Sequence, residues 1–280
     1  MSDSPLPEIL HHYTDHAGLF GIIESRTFWA TNIRYLNDES EIRYSRDLLG
    51  ALAERLRPEF GGDWAAGVVC DAVAALASSG TSPDTFVTSL CDDGDNLGQW
   101  RGYSAQGSGY AIGLNREHLW RVANAQGHSL IRLMYEVSEQ EMQLEQALRE
   151  ATPILAGWGA DPTNAPPAVQ QLILLGLGFT FATLSVKNPY FRDEREWRLA
   201  RVIVPGLFEE RTRVRTLRGV ETPYEEIALT DEATGETPIA EIVVGPMARS
   251  DASVAEVRSL LDRNDLEHVS IRKSVGPLRR

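Results

Sequence analysis

Three acidic side chains crowd the start of a segment whose composition favours a β-strand. Asp193, Glu194 and Glu196 stand directly before or beside the stretch 197–204, which reads WRLARVIV. Acidic residues are poor strand formers, and carboxylates gathered at one strand end repel each other unless a cation is bound among them. A carboxylate fixed at such a position can stabilise positive charge or act as a general base. The cluster is therefore the first candidate for chemistry.

Two other segments add residue types that suit a site. LHHYT, residues 10–14, contains adjacent histidines, whose ordinary pKa near neutrality suits proton transfer and hydrogen bonding. Strand alternation would turn only one of the two inward. In SLCDDGDNLGQWRGY, residues 89–103, Trp100 and Tyr103 lie three positions apart, which places both rings on one face of a helix. Packing in the core is an equally good account of that aromatic pair.

The elements that must position these groups are short. Hydrophobic periodicity and turn residues predict strands at 9–14, 27–32, 85–90, 109–114, 197–204, 226–229, 241–245 and 267–271. The same signals predict helices at 17–25, from about 37 to 58, at 95–104 and at 252–262. Because strands and helices do not alternate as βαβ units, a mixed α+β fold is expected.

The middle of the chain is read as a helical insertion within one domain, which spans residues 1–280. Two helices are expected over about 139–185, separated by the proline-rich stretch 161–167. The apolar run at 172–184 is too short to span a bilayer and is typical of a buried helix. We therefore expect no membrane association and a cytoplasmic location.

Composition narrows the classes of partner. The net charge of −13 argues against nucleic-acid binding through a generally basic surface, although it does not exclude a nucleic acid as an acceptor of a transferred group. Cys70 and Cys91 are far apart and lack the spacing of a zinc site, so we expect reduced structural thiols and no metal held by cysteine.

Four sequence blocks, taken together, resemble a widespread bacterial domain family of unknown function. They are HYT at 12–14, LNDESE at 36–41, the block from Ser89 to Tyr103 that contains LGQWRGY, and EREWRL at 194–199. The resemblance runs from about residue 9 to 204 and more loosely to 271, with the blocks in the same order along the chain.

That family in turn resembles, more distantly, the ADP-ribosyltransferase superfamily. The resemblance implies an ADP-ribosyltransferase-like split β core of short strands with flanking helices. It places His12 at the histidine position of the first strand, Ser89 on the middle strand where many members have Tyr, and Glu196 at the catalytic position, with Glu194 two residues ahead. Many relatives have Gly after the histidine, where this chain has Tyr13.

The resemblance further implies an enzyme that cleaves the nicotinamide–ribose bond of NAD and transfers ADP-ribose to a macromolecule or small molecule. A role as a toxin or anti-phage effector would follow. Glu196 would stabilise the oxocarbenium-like charge, while Glu194 would handle the acceptor and share a face with Glu196 through strand alternation. The residues expected to hold NAD are His12, Tyr13, Thr14, Ser89, Trp100, Tyr103 and Arg198.

Two alternatives stay open. A metal-dependent nuclease or phosphodiesterase would use acidic oxygens as Mg²⁺ ligands, with Lys187 as an accessory cation; its ligands would be Asp38, Glu41, Asp193, Glu194 and Glu196. The other alternative is a domain that binds a nucleotide or a protein partner without catalysis. The block at 36–41 also fits a plain helix N-cap, so Asn37 and Asp38 are expected to be structural.

Overall fold

The computed structural model describes residues 5–36, 39–78, 83–160, 168–203, 211–217, 219–248 and 250–276. The strands in these ranges are β1 Ile9–Thr14, β2 Thr27–Asn32, β3 Asp84–Cys91, β4 Tyr110–Asn115, β5 Ser129–Arg132, β6 Glu196–Ile203, β7 Arg213–Leu217, β8 Val220–Ala228, β9 Ile239–Val244 and β10 Ser270–Lys273. The α-helices are α1 His16–Ser25, α2 Glu39–Leu56, α3 Trp64–Ser78, α4 Leu97–Tyr103, α5 Arg116–Ala125, α6 Val137–Ala160, α7 Ala168–Leu184 and α8 Asp251–Asp262.

The strands form one mixed sheet, which confirms the prediction of an α+β fold. The main path runs β10-β9-β4-β1-β3-β2-β8-β7, and β6 pairs with both β3 and β5. The pair of β9 and β10 is parallel, whereas the other registered strand pairs of the described residues are antiparallel. Strand β6 is buried along its whole length, so its two faces contact different layers.

One face of the sheet packs on α1, α5 and α8. Leu199 of β6 belongs to this core, together with Leu19 of α1, Leu119 of α5 and Leu260 of α8, all fully buried. These helices satisfy the usual requirement that an apolar sheet face be covered by another layer.

The opposite face is covered by a helical layer made of α2, α3, α6 and α7. Ala200, next to Leu199 along β6, packs with Leu184 and Phe181 of α7. The four helices share their own core, in which Leu52, Val73, Leu148 and Phe179 meet. Helices α6 and α7 thus account for most of the predicted insertion at 139–185. Its proline-rich stretch 161–167 lies outside the described residues. The division into domain and insertion stays a prediction.

The sheet opens where β1 and β2 meet β3. Strand β1 is registered with β3 at one pair, His11 opposite Cys91, while β2 is registered at two pairs, which involve Val87 and Phe86. Between these contacts the edge of β3 around Ser89 faces a gap. On its other edge β3 is paired with β6 from end to end, with Ser89 opposite Arg198 and Cys91 opposite Glu196.

Candidate active site

Glu196 opens β6 immediately after a tight turn. Asn188 caps the 3₁₀ turn Pro189–Glu194, and Arg195 then adopts a left-handed conformation with φ 47°. Glu194 therefore lies in the turn and not in the strand. The prediction that strand alternation would bring Glu194 and Glu196 to one face is wrong, because the extended backbone begins only at Glu196. Their carboxylates nevertheless contact the same cation.

The carboxylate of Glu196 accepts hydrogen bonds on both oxygens. Oε1 lies 2.7 Å from Oγ of Ser89 and 2.7 Å from Nε of Arg198, and Oε2 lies 3.1 Å from Nη2 of Arg198 and 2.6 Å from Nζ of Lys187. A carboxylate offers about four lone-pair sites, so these four donors match its capacity. The Glu196 backbone N–H donates to the hydroxyl of Tyr135 at 3.0 Å.

The charge of Glu196 is set by two opposing effects. Burial would raise the pKa of this carboxyl, since only 5% of the residue is exposed, but the cations of Arg198 and Lys187 outweigh burial and lower the pKa from 4.5 to about 2. Glu196 is therefore ionised throughout the neutral range.

Lys187 supplies the cation that the acidic cluster required. Its Nζ lies 2.5 Å from Oε2 of Glu194 and 2.6 Å from Oε2 of Glu196, and the residue is 3% exposed. The ammonium also lies 5.2 Å from the ring centroid of Phe191. The repulsion between the two carboxylates is thus offset by a side chain of the protein itself.

His12 closes the gap at the edge of β3. Its Nδ1 lies 3.0 Å from the carbonyl oxygen of Ser89, so this nitrogen carries the proton and donates it to the carbonyl. Burial lowers the pKa of His12, although the bond to Ser89 opposes that effect. The ring is therefore neutral at physiological pH, and its Nε2 is a hydrogen-bond acceptor. The ring also packs on Phe28 with centroids 4.8 Å apart.

A cleft of about 130 Å³ lies between these strands and α4. Ile33, Leu36 and Leu90 form an apolar part of its wall. Tyr103 stands at the rim, with 47% of the residue exposed. The predicted site residues that line the cleft are His12, Tyr13, Ser89, Tyr103, Glu194, Glu196 and Arg198. The structure thus brings together residues from β1, β3, β6 and α4. Their roles stay predictions.

Two predicted NAD-binding residues do not line the cleft. Trp100 is fully buried, its Nε1 donates to Asp95 at 2.7 Å, and its ring packs edge-on against Tyr13 with centroids 4.7 Å apart. It has no accessible face on which nicotinamide can stack, so that prediction is wrong. Thr14, at the end of β1, is absent from the cleft wall.

Two residues that line the cleft have their polar groups engaged elsewhere. The hydroxyl of Tyr13 donates to the carbonyl of Asp93 at 2.7 Å and accepts from the N–H of Asn96 at 2.9 Å, which fixes the loop before α4. Arg198 is 3% exposed and binds Glu196 through two nitrogens. Tyr13 thus holds the loop and Arg198 binds Glu196, while the expectation that both residues also contact NAD stays a prediction.

The neighbouring histidine has a different environment. Nε2 of His11 lies 2.7 Å from Oε1 of Glu241, whose other oxygen accepts from Nε of Arg272 at 3.0 Å. The bond from His11 lowers the pKa of Glu241, and Arg272 adds to the effect, to about 2. Position 94 must be glycine here, because an added Cβ would lie 2.4 Å from Nε2 of His11. His11 also lines the cleft, but this hydrogen bond to Glu241 holds its ring.

The metal alternative lacks a ligand set in the described part of the chain. There, no three His, Cys, Asp or Glu side chains are grouped so as to hold a metal ion. Asn37, Asp38 and the side chain of Glu41 fall outside the described residues. The helices that the structure describes include none with the length and hydropathy needed to cross a bilayer.

Sequence reasoning overlooked the role of Lys187, which it considered only as an accessory to a metal. The available signal was its rarity: Lys187 and Lys273 are the only lysines, and one of them stands nine residues before the predicted catalytic glutamate. Gln99, which also lines the cleft, was likewise missed; its side chain donates to the carbonyl of Glu194 at 3.4 Å.

Fold and site together define an α+β protein with a polar cleft at an opening in its sheet. Residues 99–199 match a family model described as "Protein of unknown function (DUF2971)". The match begins within LGQWRGY and ends at the last residue of EREWRL, so it confirms the predicted relation to a family of unknown function over this stretch. No curated protein matches the chain significantly. No solved structure does so either.

Proposed function

We propose that the protein is an ADP-ribosyltransferase-like enzyme that cleaves the nicotinamide–ribose bond of NAD in the cytoplasm and transfers ADP-ribose to an acceptor. One observation carries the proposal. His12 of β1, Ser89 of β3 and Glu196 of β6 meet at the point where β1 and β2 diverge on β3. These are the three positions, in the same chain order, that the sequence resemblance implies, and the divergence supports an ADP-ribosyltransferase-like split core.

The charge of Glu196 suits the reaction. When the bond between ribose C1′ and the nicotinamide nitrogen breaks, its electron pair goes to the nitrogen and neutral nicotinamide leaves. Positive charge then develops on the ribose, and a preorganised carboxylate stabilises it. Glu196 is ionised, is held by Arg198 and Ser89, and lines the cleft.

Glu194 and His12 supply the other polar functions. The acceptor's nucleophilic atom forms the new bond to C1′, and its proton passes to a base. Glu194 fits this role because its side chain is 24% exposed, compared with 6% for Glu196. The acceptor nitrogen of neutral His12 can receive a hydrogen bond from a ribose hydroxyl.

The size of the cleft limits which part of NAD it can hold. Its volume of about 130 Å³ is below the roughly 300–1,000 Å³ of typical ligand pockets. The nicotinamide–ribose end would enter the cleft beside the ring of Tyr103, and the ADP part would lie across the rim. An effector role, as a toxin or against phage, belongs to the same proposal through the resemblance.

The test is release of nicotinamide from labelled NAD by the purified protein. Glu196→Gln should reduce cleavage by about two to three powers of ten, the effect of removing one preorganised electrostatic group. The matched control is Glu225→Gln, because Glu225 is also a buried partner of an arginine but lies outside the cleft. Cleavage per folded molecule should be unchanged in the control. Full activity in Glu196→Gln would refute the proposal.

A further inference from the structure

The loop between β3 and α4, residues 92–96, contacts a distant part of the chain through one side chain. Oδ1 of Asp95 accepts hydrogen bonds from Nε1 of Trp100 at 2.7 Å and from Oγ of Ser274. Oδ2 of Asp95 accepts from the N–H of Val275 at 2.8 Å. Ser274 and Val275 follow β10 directly and lie 179 and 180 positions from Asp95 along the chain. Asp95 thus links the loop before α4 to the segment after β10.

The segment after β10 is itself held by the sheet. Ser274 is 3% exposed, and its N–H donates to the carbonyl of Val244 at 2.8 Å. The loop also packs directly on β10, because an added Cβ at Gly94 would lie 2.7 Å from Nη2 of Arg272. The contact at Asp95 therefore joins two packed segments, and the sheet can fix the loop through it.

The same loop holds α4 and the turn before β6. Oδ1 of Asn96 caps α4, and Nδ2 of Asn96 donates to the carbonyl of Asp193 at 2.7 Å. Gln99 of α4 lines the cleft, and Tyr103 at the end of α4 stands at its rim. The position of α4 at the cleft therefore depends on how the loop 92–96 is held.

We propose that Asp95 is a positioning residue, which binds the loop to the segment after β10 and so fixes Gln99 and Tyr103 beside the nicotinamide–ribose end of NAD. Asp95 itself does not line the cleft. Because Glu196 is held by groups on β3 and β6, loss of Asp95 should impair binding of NAD more than cleavage of the bond. The effect on NAD rests on the proposed function, whereas the link between the two segments does not.

The first measurement is hydrogen exchange of backbone amides in the intact protein, which requires no NAD. Asp95→Ala removes both bonds to the segment after β10 and should raise exchange of the α4 amides about tenfold or more, with a much smaller rise in α5. Ser274→Ala removes one of these bonds and should raise it about threefold. The double variant should match Asp95→Ala, because Ser274 acts through Asp95.

Lys273→Met is the matched control for hydrogen exchange. Lys273 directly precedes Ser274, but its Nζ pairs with the fully exposed Asp251, so α4 should exchange as in the wild type. Ser274→Ala leaves the bond between Asp95 and Trp100 intact, and it decides the question if Asp95→Ala does not fold. Wild-type exchange of α4 in Ser274→Ala, equal rises in α4 and α5, or additive effects in the double variant would each overturn the link.

The second measurement is steady-state release of nicotinamide from NAD. Asp95→Ala should raise the KM for NAD about tenfold and leave kcat within about threefold of the wild type, whereas a general loss of folded protein would lower kcat at unchanged KM. Asp95→Asn keeps one oxygen for Trp100 and Ser274 and should restore most of the wild-type KM. An unchanged KM in Asp95→Ala would overturn the positioning role. If the wild type cleaves no NAD but α4 exchanges as stated, the proposed function fails and the link stands.

Discussion

Two buried glutamates of the same sheet make ion pairs with arginines of the same strand, yet their surroundings differ. Glu225 binds Arg201 with both oxygens 2.8 Å from one nitrogen, and it is 1% exposed. Glu196 binds Arg198 and also contacts Lys187 and Ser89. Because side chains alternate along β6, Arg201 faces the core of α1, α5 and α8, whereas Arg198 faces the cleft.

The comparison separates a structural ion pair from a candidate catalytic one. The structural pair joins Arg201 to Glu225, and neither residue lines the cleft. The pair at Glu196 has a second cation, a hydroxyl donor and a second carboxylate nearby, and it lines the cleft. A buried charge alone therefore does not identify the site. Glu196 is distinguished because it lines the cleft and has more hydrogen-bond donors than a single ion pair requires.

The largest expected difference is in stability. Glu225→Gln should lower the free energy of unfolding by about 3–5 kcal/mol, because it removes the carboxylate that pairs with the buried Arg201. Glu196→Gln should lose only about 1–3 kcal/mol, since Glu194 remains to pair with Lys187. Urea unfolding of both variants measures the two losses. A larger loss in Glu196→Gln would break the comparison.

The stability of the wild type and that of Glu196→Gln should also respond differently to acid. Because the folded pKa of Glu196 is lowered to about 2 from 4.5, its stabilisation is present above the unfolded pKa and is lost as pH falls from about 5 to about 2. The wild type should lose about 3 kcal/mol relative to Glu196→Gln over that range. Parallel pH–stability curves for the two proteins would contradict the assigned charge state.

Much of the fold was predictable, for identifiable reasons. Strands β1 to β4 were predicted within about one residue because β-branched and aromatic runs are bounded by turn residues. Helix α3 was missed because its apolar and small residues surround the helix and leave no amphipathic period. Strand β7 was missed because it is a short, largely exposed edge strand with two arginines.

The sequence predicted which residues form the site better than it predicted how they are arranged. The blocks identified His12, Ser89 and Glu196, which do meet, but the opening of the sheet depends on pairing between distant segments, such as His11 with Cys91. Periodicity carries no such long-range information. The turn before β6 was also unpredictable, because Arg195 adopts a left-handed conformation there, and arginine rarely has φ above zero.

The aromatic pair on α4 shows, within one helix, the same difference between a structural residue and a candidate site residue. Trp100 is fully buried and bonded to Asp95, while Tyr103, three positions on, is 47% exposed at the cleft rim. Trp100→Phe should lower stability by about 2 kcal/mol, from lost packing and a lost hydrogen bond, and leave the KM for NAD unchanged. Calorimetry and steady-state kinetics give both values. A raised KM at unchanged stability would return Trp100 to the site.

The smallest expected effect is that of Tyr103→Ala. If its ring stacks on the positively charged nicotinamide, the lost cation–π contact of about 0.5–1 kcal/mol should raise the KM for NAD about two- to five-fold. The same change should leave stability within about 0.5 kcal/mol of the wild type, because a half-exposed side chain contributes little packing. Tyr103→Phe is the control that keeps the ring and should retain the wild-type KM. A marked rise of KM in Tyr103→Phe would assign the contribution to the hydroxyl and not to stacking, and unchanged KM in Tyr103→Ala would remove Tyr103 from the nicotinamide contacts.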